Sequence, residues 1–427
     1  MSSLVIFSIL LALMLTGMPI SISLGLTVLT FLFTMTQVPL ESVALKLFSG
    51  IEKFEIMAIP FFILAGNFLT HGGVARRMIN FATSMVGHWY GGLALSGVVA
   101  CALFAAVSGS SPATVVAIGS ILIPGMVKAG FPMRFGAGVI ATSGALGILI
   151  PPSIVMVMYS IATNTSVGAL FMAGVIPGLV MASMLGGTTW YRARKNNYPR
   201  QPKASWKERA RTFRESMWGL MLIVVVMGGI YTGFFTPTEA AAMSAVYSFV
   251  VAVFIYKDMT LKQVPKVLLN SANMSAMLLY IITNAVMFSF ILANENIPQE
   301  LTNWLISKGL GEIAFLLAVN IILLLAGNFM EPSSIMLIFA PIVFPVATKL
   351  GVDPVHLGIL MVVNMEVGMC HPPVGLNLYV ASGLTKMGIT DLTVAVWPWL
   401  LTMLVFLVMV TYWPPLSIWL PRTLGMM

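Results

Sequence analysis

The chain has 427 residues, 59% of them hydrophobic and only 8% charged, whereas soluble domains are roughly 45–50% apolar and about 25% charged. Such a composition excludes a soluble enzyme or binding domain and marks an all-α polytopic membrane protein, in which apolar runs of about 20 residues cross the hydrocarbon. The net charge of +8 does not signal nucleic acid, because nine of the Lys and Arg residues lie in one stretch, "YRARKNNYPRQPKASWKERARTFRESMW" (191–218), which reads as a cytoplasmic loop.

In chain order, "MSSLVIFSILLALMLTGMPI" carries no Lys or Arg before its apolar run and no small-residue cleavage site after it. A retained helix is expected there rather than a signal peptide. The first half then holds crossings near 3–17, 19–36, 56–70, 135–164 and 168–190, the fourth of them interrupted. Residues 92–128 are apolar at both ends but broken by "VSGSSPATV", the pattern of a re-entrant helical hairpin. A basic linker follows at 191–215. The second half repeats the plan, with crossings near 216–234, 239–256, 276–293, 357–385 (interrupted) and 394–412, and a hairpin at 313–350 whose tip is "AGNFMEPSSI".

The halves, 1–190 and 216–427, also match residue by residue. A shift of 221 without gaps places Pro124 on Pro345, Lys128 on Lys349, Gly130 on Gly351, Gly147 on Gly368, Pro151 and Pro152 on Pro372 and Pro373, and Pro177 on Pro398. Nearly all of these are Pro or Gly, which dictate backbone shape, so their register indicates an internal duplication. "GMPISISLGL" echoes "FTPTEAAAMS", and "FFILAGN" echoes "SFILANE". An odd number of crossings per half inverts the second repeat relative to the first. With the linker in the cytoplasm, 17 of the 22 Lys and Arg fall inside and five outside, in accord with the positive-inside rule. Both termini are then expected outside.

Inverted repeats with discontinuous helices are the architecture of secondary transporters, whose sites lie where paired breaks meet. Four breaks are expected here: the hairpin tips at 108–112 and 327–334, and the interrupted crossings at 147–153 and 368–375. Proline removes an amide donor and glycine lets the chain turn, which leaves carbonyl oxygens for a dehydrated cation such as sodium. The tips add the hydroxyls of Ser108, Ser110 and Ser111 in one and Asn328, Ser333 and Ser334 in the other. A half-helix N-terminus behind each suits an anion.

Three acids lie in or beside apolar segments. Glu239 follows a Thr-Pro-Thr helix start, where a capping role is ordinary, while Glu331 and Glu366 are open between ion coupling and a structural role. No catalytic motif or paired acid/base spacing occurs, the four histidines are scattered, and Cys101 and Cys370 lack metal or redox spacing. No enzyme and no cofactor are expected.

"GFFTPTEAAA" (233–242), "GMPISISLG" (17–25), "PFFILAGNFL" (60–69) and "HPPVGLNLYVASG" (371–383) resemble recurrent motifs of the large membrane subunit of TRAP (tripartite ATP-independent periplasmic) transporters, and the resemblance runs essentially end to end. It implies an elevator-type, sodium-coupled importer of organic acids in a bacterial inner membrane, working with a small four-helix membrane subunit and a periplasmic substrate-binding protein. It implies one sodium site at Ser108, Gly147, Ile150 and Pro152 and another at Gly327, Gly368, His371 and Val374. Substrate is expected between the tips, at Ser110, Ser111, Asn328, Pro332, Ser333, Ser334 and Asn377. His371 stands where many members have threonine, so its backbone carbonyl is the expected ligand. "CHPPVGLNLYVASG" is more similar to the C4-dicarboxylate members than to the sialic acid ones. Two rivals stay open at this point: a stand-alone carboxylate symporter, and a channel or membrane scaffold.

Overall fold

The structure is a computed structural model and describes residues 2–36, 39–308, 311–328, 330–372 and 375–427. These form helices, without a strand among the described residues. The first half contains α1 (Ser2–Leu15), α2 (Ile20–Met35), α3 (Leu40–Ile51), α4 (Ala58–His71), α5 (Val74–Val86), α6 (Gly92–Ser108), α7 (Ser111–Lys128), α8 (Met133–Ser143), α9 (Ile154–Thr163) and α10 (Val167–Lys195). The second contains α11 (Trp206–Tyr231), α12 (Pro237–Val250), α13 (Val264–Asn294), α14 (Ile297–Ser307), α15 (Glu312–Gly327), α16 (Pro332–Lys349), α17 (Pro354–Cys370), α18 (Leu376–Thr385), α19 (Ile389–Tyr412) and α20 (Pro415–Thr423). Among the described residues, eight helices are long and apolar enough to cross a membrane. The protein is a multi-pass membrane protein.

Helix ends follow local chemistry. α6 stops where Gly109 turns left-handed (φ 61°), and α7 restarts with Pro112 in its first turn, where a missing N–H costs nothing. α15 ends at Gly327 and α16 opens on Pro332, so this second tip is longer by two residues. α12 begins with a capping box: the Glu239 backbone N–H donates to Thr236 Oγ1 (3.3 Å) and the Thr236 N–H donates to Glu239 Oε2 (2.8 Å). Glu239 is therefore a helix cap.

Backbone geometry recurs between the halves. Gly130 and Gly351 both have φ 92°, and each ends a helix in the same way: Phe131 N–H donates to Met126 O (3.0 Å) and Val352 N–H to Ala347 O (2.9 Å). α9 and α18 are both ten residues long. Each is closed by a left-handed residue, Asn164 or Lys386, and by a serine that donates forward to a backbone carbonyl: Ser160 to Thr165 O, Ser382 to Met387 O. The second copy runs one residue longer between the double proline and its last helix.

The central body is α6–α10 with α15–α19, buried around Phe104, Phe171, Tyr159, Trp399 and Phe406. Membrane helices gain little from apolar burial against lipid, so close backbone approach and interhelical polar pairs carry the association. Gly138 lies against Ala395 O, and Gly358 against Tyr159 and Leu170. Asn364 Nδ2 donates to Asn320 Oδ1 (2.8 Å), and Asn320 Nδ2 to Thr411 Oγ1 (2.9 Å), tying α17 to α15 and α19. Around this body α2, α4, α12 and α13 form a second layer, with α4 packed along α12 and α13 along α2. The basic linker folds back on the protein: the Arg200 guanidinium lies 3.2 Å from the Tyr90 ring centroid, and Gln201 N–H donates to Gly87 O (3.0 Å).

Candidate functional site

The first hairpin tip rests on the first broken helix. Pro151 and Pro152 have no N–H, so the carbonyls of Gly147 and Ile148, four residues back, lose their helical donors. Ser153 repairs one of them, donating its hydroxyl to Ile148 O (2.6 Å) while accepting from Met156 N–H. Gly147 is in contact with the tip itself: a Cβ there would stand 2.5 Å from Ser110 O and 2.7 Å from Ser111 Cα. A Cβ on Gly109 would lie 3.0 Å from Pro152 O. The Ser108 and Thr114 hydroxyls, 2.9 Å apart, close the turn. Ser108, Gly147 and Pro152 are thus brought together. The Ile150 side chain packs against Gly178 of α10, which leaves the backbone carbonyl as the group this residue could offer an ion.

The second tip repeats the arrangement with different chemistry. The Gly327 and Gly368 backbones meet where a Cβ on either would lie 2.9 Å from the other's Cα. Asn328 is buried; with its amide nitrogen turned toward the acceptors, Nδ2 donates to His371 O (3.1 Å) and Pro372 O (3.2 Å). Gly327, Gly368 and His371 therefore cluster. Val374, the fourth residue expected there, lies outside the described residues. Glu331 Oε1, Ser334 Oγ and both carboxylate oxygens of Glu366 are buried without hydrogen-bond partners.

A side chain of the second repeat reaches the first tip. Asn377 Nδ2 donates to Ser111 Oγ (2.9 Å) and Ala141 O (3.2 Å), and Ser111 Oγ donates to Gly144 O (2.9 Å). Asn377 is fully buried and acts as a brace between α18, α8 and the hairpin.

Both tips open on one cavity of about 360 Å³. Of the residues expected at the substrate, Ser110, Ser111, Pro332 and Ser333 line it, whereas Asn328, Ser334 and Asn377 are turned into the protein. Its far wall comes from α4, through Asn67 and Thr70, and from α13, through Met274 and Met277. Sequence reasoning missed this wall. An asparagine inside the apolar "FFILAGN" was the available signal, and it is held by Ser271, with Asn67 Nδ2 donating to Ser271 Oγ (2.8 Å). Gly66 lets α4 touch the first tip, a Cβ there lying 3.0 Å from Ser108 O. Glu331 is the one ionisable side chain among the described residues of the lining. The cavity therefore offers an anion hydroxyls, amides and the positive N-terminal ends of α7 and α16, but no Lys or Arg.

Helical hairpins that meet broken helices around a largely apolar cavity with a few convergent polar groups, inside a multi-pass membrane protein, define a permease. A family profile described as "Tripartite ATP-independent periplasmic transporter, DctM component" matches residues 7–416, and the chain belongs to this family, as a translocating subunit. It is 74% identical to the C4-dicarboxylate TRAP transporter large permease protein DctM of Rhodobacter capsulatus over 100% of both chains. It is 54% identical to the same protein of Pseudomonas aeruginosa over 95% of each. With the sialic acid TRAP transporter large permease protein SiaM of Vibrio cholerae it shares 34% over 96% of each. The fold resembles the Alcanivorax borkumensis YdaH transporter, with a TM-score of 0.66 at 15% identity, covering 91% of this chain and 90% of that one.

Proposed function

We propose that the chain imports C4-dicarboxylates across a bacterial inner membrane, driven by sodium, after delivery by a periplasmic binding protein and with a small four-helix membrane subunit as its second partner. The substrate class rests on the names carried by the 74% and 54% identical relatives. The cavity's charge supports the coupling. A dianion entering a low-dielectric space whose lining contains an acid and no base needs cations brought in with it. Proline-freed carbonyls beside each tip supply neutral oxygens for them, with Ser108, Gly147, Ile150 and Pro152 proposed for one sodium and Gly327, Gly368, His371 and Val374 for the other.

In this reading the two repeats are inverted, the linker is cytoplasmic and both termini are periplasmic. The central body moves as an elevator against the layer containing α4 and α13. Uptake of labelled succinate and labelled sialic acid by the full system in proteoliposomes, with and without a sodium gradient, tests it. Sodium-dependent accumulation of succinate is expected. Succinate uptake that persists without the gradient overturns the coupling, and preference for sialic acid overturns the substrate class.

A further inference from the structure

Among the cavities beyond the tips, one of about 320 Å³ and one of about 540 Å³ are both lined by the same lysine. Lys53 stands between α3 and α4. Its ammonium donates to Ile161 O (2.6 Å) and to Asn164 Oδ1 (2.8 Å), at the C-terminal end of α9. Both acceptors are neutral, and no ion pair holds Lys53 among the described residues. The acid on the same wall is Glu55, which raises the Lys53 pKa against the larger lowering by burial. The end of α9 sets only partial negative charge against this half-buried cation and Glu55 acts on it without an ion pair, so no full counter-charge touches the ammonium.

The surroundings specify what could provide one. The larger cavity is lined by Thr165 and Ser166, at the start of α10, and by Thr236 and Thr238, at the start of α12. Two helix N-termini thus face the space that the lysine enters. The smaller cavity continues along α13, through Ala285, Val286 and Ser289, and along α16, through Leu337 and Pro341. These same two helices supply Met274, Met277, Pro332 and Ser333 to the tip cavity. Lys53 therefore sits where a polar vestibule meets the helices that lead to the tips, on the side that the charge distribution places outside.

We propose that Lys53 and this vestibule form a capture site for the carboxylate substrate, which the anion occupies before it reaches the tips. The inference rests on the reading of the chain as a carboxylate importer. The arriving carboxylate displaces Ile161 O and Asn164 Oδ1 from the ammonium. When it moves on, those two neutral acceptors take the ammonium back, so the site captures without trapping.

The test is succinate uptake by the complete transporter with Lys53→Gln, Lys53→Arg and Thr165→Glu, the last adding a negative charge to the vestibule while leaving the lysine in place. A charged hydrogen bond to the anion corresponds to about a tenfold or greater rise in KM when it is lost. Lys53→Gln and Thr165→Glu should each raise KM by about that factor with kcat within about twofold, and Lys53→Arg should stay near the parent. Unchanged KM in both Lys53→Gln and Thr165→Glu overturns the capture site. A change in kcat alone also overturns it, because that marks Lys53 as a latch on α9. If Lys53→Gln does not assemble, Thr165→Glu decides alone. Ser110→Ala and Ser333→Ala, measured in parallel, separate the two ideas: they report on the tip cavity, so unchanged KM in these with raised KM in Lys53→Gln counts against the tip reading only.

Discussion

Gly147 and Gly368 are the residues at which the smallest change has the largest structural consequence. Each is the point where a broken helix touches its own hairpin tip, and each opposing atom is backbone that cannot rotate away. Gly147→Ala places a methyl 2.5 Å from Ser110 O, and overpacking of this kind costs about 1–3 kcal/mol. The expected result is a lowered thermal unfolding midpoint in detergent together with loss of uptake. Asn377 and Ser333 predict opposite behaviours. Asn377→Leu removes the amide that donates to the Ser111 hydroxyl and leaves the Ala141 carbonyl only the weak Cys370 thiol donor, at about 1–3 kcal/mol. It should lower the melting temperature while the KM for succinate stays put; a shifted KM with unchanged melting would show that the asparagine binds substrate. Ser333→Ala should show the reverse, because Ser333 lines the cavity.

At this scale the sequence was legible where a residue dictates backbone. Pro112 and Pro332 open helices, and Gly109 and Gly375 turn the chain, whatever surrounds them. It was not legible where the question is which way a polar side chain faces. Asn328 and Ser333 belong to the same tip, yet one caps freed carbonyls and the other meets the cavity. Only tertiary packing chooses between them.

Among the elements, the closest correspondence is between α9 and α18, ten residues each, with the same left-handed cap and the same forward serine hydrogen bond. The extra residue ahead of α18 is accommodated at Gly375 (φ 42°), where a Cβ would lie 2.8 Å from both His371 O and Met369 O. Gly375→Ala combines a strained φ with a clash against two carbonyls. It should reduce uptake severely while the protein still inserts, as surface biotinylation and uptake measured side by side would reveal; uptake within twofold of the parent would show that this segment has another course during transport. The amphipathic helices α3, α5 and α14 escaped the sequence reading for a physical reason. They are too short to span hydrocarbon and too mixed in character to stand out as apolar runs. Hydropathy finds what lipid surrounds on all sides, whereas these helices answer to packing: α5, for one, lies on α6 and α11.

For the molecule as a whole, the tip cavity has walls of two origins, the hairpin tips on one side and α4 with α13 on the other. If the central body slides, those walls must separate. Cysteines at Asn67 and Ser333, joined by a reducible bifunctional thiol reagent, should stop uptake, and reduction should restore it. Full activity of the joined protein would exclude the sliding movement. The native Cys101 and Cys370 are buried and should not interfere.

Met274 and Met277 carry a last consequence. Both line the wall that faces the two tips, and each is 47% exposed. A thioether on an unbranched chain re-forms its contacts at little cost, so one side of the cavity is compliant while the other, made of serines fixed by helix starts, is stiff. A chamber with one soft wall measures charge and hydrogen-bonding pattern more sharply than it measures length. Discrimination by size is therefore weak in such a chamber, and a permease of this build can be matched to a new cargo without being recast.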